Sequence, residues 1–105
     1  MEDERVLCGA NSYKEKYYFN EVHNRLPEQV QNELKAACVL YAEEIGGTIT
    51  LGFESDGEIT IAIDHESADY FYDEIEAELA VRRMQDAHAE LFEQLQTYYN
   101  TFFTK

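Results

Sequence analysis

Residues 58–105 contain neither glycine nor proline: every glycine lies at or before Gly57, and the single proline is Pro27. A stretch without strong breakers can run as helix for as long as its side-chain pattern allows. Met84, His88, Leu91, Leu95, Tyr98 and Phe102 recur at spacings of four, three, four, three and four, a heptad-like stripe widened by Phe92, Tyr99 and Phe103. Ile75 and Leu79 sit on another phase, five residues separating Leu79 from Met84, while Ala77 and Val81 keep the later one. Either one helix carries two overlapping stripes or it bends near 80–83.

Length decides what this stripe implies. A continuous helix over about 67–103 would be roughly 55 Å long at ~1.5 Å per residue. A compact domain of this size is roughly 30 Å across. The apolar overhang must bend back or be covered by a second chain, and no Gly or Pro is present to build a sharp turn. The expectation is therefore a homodimer with Met84, Leu91, Leu95, Tyr98 and Phe102 in its interface. Tyr70-Phe71-Tyr72 has strand composition, so a third short strand at about 69–72, with Asp73 capping the helix behind it, is the alternative start.

The preceding residues are easier to place. Pro27 suits a first helical turn, where its missing N–H costs nothing. Val30, Leu34, Ala37, Cys38, Tyr41 and Ile45 then follow one helical face, Glu28 favours the positive end of the dipole, and Gly46-Gly47 end the run. The spacing predicts a helix over 28–45. Ile49, Leu51 and Phe53 alternate with Thr48, Thr50 and Gly52. Ile59, Ile61 and Ile63 alternate again, and Asp56-Gly57 between the runs is a hairpin signal. The inner face of that hairpin should pack on Val30, Leu34, Cys38 and Tyr41. Residues 1–25 read as an irregular arm with one strand at most. The chain is thus predicted to be a single α+β domain ordered arm, helix, antiparallel hairpin, long C-terminal helix.

Charge narrows the function classes. With 22 Asp plus Glu against 8 Lys plus Arg, the formal net charge is −14, yet 45% of residues are hydrophobic. That hydrophobic content excludes a disordered acidic tail. The charge excludes a nucleic-acid binder, which needs a basic face, and docking on an anionic membrane. Residues 36–81 hold 12 acids and no Lys or Arg, so a basic partner would meet the hairpin end. MEDER carries no apolar signal region, and the apolar run Ala36–Ala42 is far below the ~20 residues of a span. Cys8 and Cys38 allow one disulfide, but unclustered cysteines without a signal read as free thiols of the cytoplasm.

His65, Asp69 and Asp73, at i, i+4 and i+8, form the sharpest chemical constellation. On a helix they would line one stripe beside Glu66 and Glu74, an oxygen-rich set suited to a divalent cation. The competing reading is a solvated acidic helix start. His88, on the apolar stripe, reads as a core histidine bonded to a carboxylate or carbonyl. His23 reads as an exposed loop residue, and Cys38 as core. Tyr13, Tyr17, Tyr18 and Phe19 beside Lys14 and Lys16 could stack on single-stranded nucleic acid, but they read better as rings packing the arm onto the core. No P-loop, Gly-x-Gly-x-x-Gly, His-Glu-x-x-His or Cys-x-x-Cys occurs.

Cys8-Gly9-Ala10-Asn11, Tyr17-Tyr18-Phe19-Asn20, Leu26-Pro27-Glu28, Glu44-Ile45-Gly46-Gly47 and Tyr72-Asp73-Glu74-Ile75 together resemble a family of short acidic proteins. That family occurs mainly in anaerobic Gram-positive bacteria and is catalogued as a domain of unknown function. The resemblance spans most of the chain. It implies a bacterial cytoplasmic protein and brings no activity or site residue with it. Three readings stand at this point. The first is a non-enzymatic homodimeric interaction or assembly protein with no cofactor. The second is an acidic regulator or decoy for a basic partner. The third is a divalent-metal-dependent enzyme using His65, Asp69 and Asp73.

Overall fold

A computed structural model describes residues 3–104. The alternating runs form β3 (Thr48–Phe53) and β4 (Ile59–Asp64), paired antiparallel from Thr48 opposite Asp64 to Phe53 opposite Ile59. Asp56 closes their turn by accepting a hydrogen bond from the Glu58 amide at 2.9 Å.

The N-terminal residues depart from the irregular arm expected of them. They form a second hairpin, β1 (Val6–Asn11) and β2 (Lys16–Phe19), and β1 also pairs antiparallel with β3. The sheet order is β2-β1-β3-β4, which makes β1 an interior strand. Two local features hid it. Its centre is Gly9-Ala10, and a Cβ at Gly9 would lie 3.0 Å from the Ile49 carbonyl oxygen, so close strand approach selects a residue with no strand signature. Its turn lacks glycine too: Glu15 holds the positive φ of 51°, and the Asn11 side chain accepts from the amides of Tyr13 and Lys14.

Helix α1 (Glu28–Ile45) has the predicted bounds. Pro27 precedes it, and Gly46 ends it at φ 69°, its N–H bonded to the Ala42 carbonyl. Leu34, Ala37, Cys38, Tyr41, Ala42 and Ile45 bury one face against the sheet. The sheet meets that face with Cys8, Ala10, Ile49, Leu51 and Phe53. Its other face, carrying Thr50, Gly52 and Tyr18, is polar or open, the usual state of a one-sided antiparallel sheet. Ile59, Ile61 and Ile63 are only half-buried, because β4 is an edge strand and the helices do not fully cover it.

The C-terminal region is helical but not continuous. Helix α2 (Glu74–Ala87) and helix α3 (Ala89–Phe102) meet at His88, whose φ and ψ of −117° and 23° leave the helical region. The break lies at 88 rather than near 80–83. It needs no Gly or Pro, because the His88 N–H still reaches the Met84 carbonyl and the Phe92 N–H reaches that of His88. The His88 ring packs edge-on to Tyr41, and its Nδ1 lies 3.3 Å from a Glu33 carboxylate oxygen, so it has the carboxylate partner expected of it but sits half-buried at the surface rather than in the core. Residues 67–73 are not helical, and no strand forms at 69–72. The longest dimension of the fold is 44 Å, shorter than the ~55 Å continuous helix.

Candidate functional site

The helical spacing proposed for His65, Asp69 and Asp73 does not exist, because the helix begins only at Glu74. Each of the three serves a local purpose instead. Asp73 is the N-cap of α2, its Oδ1 accepting from the amides of Ile75 at 3.0 Å and Glu76 at 3.1 Å. Asp69 accepts the Tyr13 hydroxyl at 2.6 Å and the Phe71 amide at 3.1 Å. The Tyr13 bond holds the Asp69 carboxyl below its ordinary range. The His65 ring stacks on Tyr72 with centroids 4.0 Å apart. Among the described residues no three His, Cys, Asp or Glu side chains come together to hold a metal ion.

The two cysteines, thirty residues apart in sequence, do meet. Cys8 of β1 and Cys38 of α1 are fully buried free thiols with their sulfurs 3.6 Å apart. Contact with Cys8 and then burial push the Cys38 thiol up, so it is held protonated as a core residue rather than as a nucleophile. Of the N-terminal rings, Tyr17 and Phe19 pack against the core while Tyr18 is exposed.

His23 is the functional-looking residue that the sequence concealed. It is fully buried rather than in an exposed loop. Its Nε2 lies 2.7 Å from the Glu4 carbonyl oxygen and its Nδ1 2.7 Å from the Tyr98 hydroxyl. A carbonyl only accepts, so Nε2 carries the proton and Nδ1 accepts from Tyr98. Burial lowers the His23 pKa, consistent with a neutral ring. Phe53, Tyr98 and Phe103 surround it. The signal available in sequence was Asn20. That residue is also buried; it accepts from the Val22 amide and donates to the carbonyls of Asp3 and Val6, tying the short 3-10 turn Glu21–His23 to β1.

The stripe assigned to a dimer interface is divided. Met84, Leu91 and Leu95 are buried within the single chain. Helix α2 lies along α1, and beyond the break at His88 α3 passes beside the start of α1, where Leu91 and Leu95 face Leu26 and Val30, so these three need no second copy to leave water. Tyr98 is half-buried, and only Phe102 is substantially exposed.

The largest uncovered apolar side chains lie elsewhere. Tyr70 is 91% exposed, Phe71 97% and Ile75 74%, with Leu79 one turn further along α2. They are interleaved with Glu66, Asp69, Asp73, Glu74, Glu76 and Glu78, and residues 66–79 contain no Lys or Arg. This is a short apolar ridge inside an acidic field, by the C-terminal end of α1, where Arg83 of α2 reaches Glu44 at 3.4 Å.

The molecule is therefore an α+β domain with an antiparallel four-stranded sheet covered on one face by helices. A family model described as a family of unknown function, DUF6145, matches residues 4–105, and the chain belongs to that family. No curated protein and no solved structure matches it. No helix of the described residues is long and apolar enough to cross a membrane.

Proposed function

We propose that the chain is a non-enzymatic interaction module of the bacterial cytoplasm that binds a basic, amphipathic segment of a partner protein. The observation that carries this reading is the ridge of Tyr70, Phe71 and Ile75, each more than 70% exposed among six carboxylates. Large exposed apolar side chains with a polar rim mark contact surfaces. Aromatic residues supply binding area, and the carboxylates choose the sign of the partner and speed its approach. Pairing of this ridge with a second copy would set acid against acid, which disfavours self-association here. The cytoplasmic assignment is supported by the resemblance to bacterial proteins and by a cysteine count of two, too few for a disulfide-built secreted domain.

The test is an NMR titration with a synthetic helical peptide of leucine and lysine, run beside oligolysine of equal charge. The expected result is amide shifts confined to residues 66–79 with the amphipathic peptide. Affinity should fall at least about tenfold as salt rises to roughly 0.5 M. The double variant Phe71→Ser, Ile75→Ser should lose binding while staying folded. Equal binding of oligolysine, or shifts centred on another surface, would overturn the reading.

A further inference from the structure

At the other end of α1 lies a groove of about 580 Å³, walled by Leu26 and Val30 on one side and Leu91, Leu95 and Tyr98 of α3 on the other. Its size is that of a small-molecule site, and such sites are mostly apolar with few polar groups that fix orientation. The groove has one cation. Arg25 lies at its rim with the guanidinium carbon 4.4 Å from the centre of the Phe102 ring, so the ring holds the charge in place. Arg25 forms no ion pair among the described residues, as holds there for every Lys and Arg but Arg83; what sets Arg25 apart is its place at the mouth of an apolar groove. The Tyr98 hydroxyl is engaged by His23 and is not free to turn toward a ligand.

We propose that this groove binds a small apolar monocarboxylate, its body between α1 and α3 and its carboxylate on Arg25. The planar guanidinium fork matches a carboxylate in two parallel hydrogen bonds while its face stays on Phe102. A single negative charge is favoured over two, because the surrounding field of a chain at −14 opposes every added anionic charge. The ligand body can be an acyl chain or an aryl group; both offer the same head to Arg25. This site is independent of the acidic ridge, so neither reading depends on the other.

The experiment is calorimetric and NMR titration of the full chain with decanoate and 3-phenylpropionate, beside decylamine and decan-1-ol. At least one carboxylate should bind with shifts at Val30, Leu91 and Leu95, and which of the two binds tighter separates an acyl from an aryl ligand. Arg25→Gln, at an exposed position, should weaken that binding at least tenfold. Val30→Trp should fill the groove and abolish it; a folded Arg25→Gln protein keeps the test decisive if Val30→Trp misfolds. Failure of both carboxylates to bind, equal binding of decylamine or decan-1-ol, or an unchanged affinity in Arg25→Gln would overturn the proposal.

Discussion

Residues 70–79 and residues 84–99 belong to the same breaker-free stretch, and both carry large apolar side chains, yet they end in opposite environments. Ile75 and Phe71 stand in water, while Met84, Leu91, Leu95 and Tyr99 are buried. Within α2 the five-residue step between Leu79 and Met84 is the origin of the difference. It does not kink the helix; it sets Ile75 and Leu79 on the outward face and Met84 on the buried one, while Phe71 lies in the non-helical segment before the helix. Beyond the break at His88 the inward phase continues into the covered face of α3, where Leu91, Leu95 and Tyr99 are buried. A phase change in a hydrophobic pattern can thus separate a surface from a core with no bend where the phase changes.

The largest effect that can break this comparison is a cavity. Leu95→Ala should cost about 2–5 kcal/mol, the range for removing a fully buried leucine side chain, whereas Ile75→Ser should stay within about 0.5 kcal/mol. Urea denaturation of both variants measures the contrast. A Leu95→Ala protein as stable as the parent would mean that α3 is not packed against its own chain, and the covered-stripe description would fail.

Legibility followed the same physics. Helix α1 and the β3–β4 hairpin could be read residue by residue, because Pro27, Gly46 and Asp56-Gly57 mark their ends and the periodicity between them is unbroken. The β1–β2 hairpin could not, because Gly9-Ala10 fits a crowded strand crossing by being small and Glu15 turns the chain where a glycine would have announced it. The bend at His88 left no mark, since both neighbouring helix ends keep their backbone hydrogen bonds. The helical spacing of His65, Asp69 and Asp73 failed on a boundary: moving the helix start from 67 to 74 turned the expected stripe into a cap, a tyrosine-bonded carboxylate and a stacked ring. The acidic ridge was legible as charge but not as exposed aromatics, because Tyr70-Phe71-Tyr72 has the composition of a buried strand.

His23 supplies the next test, at the groove side of the comparison. Its pKa is lowered in the folded state, so as pH falls through the unfolded value near ~6.5 the unfolded chain takes up a proton that the folded chain refuses. Stability conferred by the neutral ring is therefore complete above ~6.5 and is lost as pH falls toward the lower folded pKa. His23→Gln cannot titrate and should flatten the stability slope below about pH 6.5. It should also lower stability at neutral pH by about 1–3 kcal/mol by disturbing the bonds to Glu4 and Tyr98. Chemical denaturation across that range, parent against variant, measures both. An identical slope in the two proteins would show that the ring is not held neutral inside the fold.

The smallest effect sharpens the comparison at the ridge. Asp73 satisfies two amides that would otherwise be unpaired at the start of α2, and Asp73→Ala should cost about 1 kcal/mol. Asp73→Asn should recover most of that, since asparagine caps nearly as well and only the favourable charge at the helix terminus is lost. Hydrogen exchange localises the change: the amides of Ile75 and Glu76 should lose protection in Asp73→Ala, while those of Leu95 and Tyr99 keep theirs, because the buried α3 face does not depend on this cap. If Asp73→Asn were as damaging as Asp73→Ala, the carboxylate charge and not the cap geometry would be what residue 73 contributes. If Leu95 and Tyr99 lost protection together with Ile75, the exposed and covered regions would unfold as one unit, and their contrast would be one of solvent contact alone.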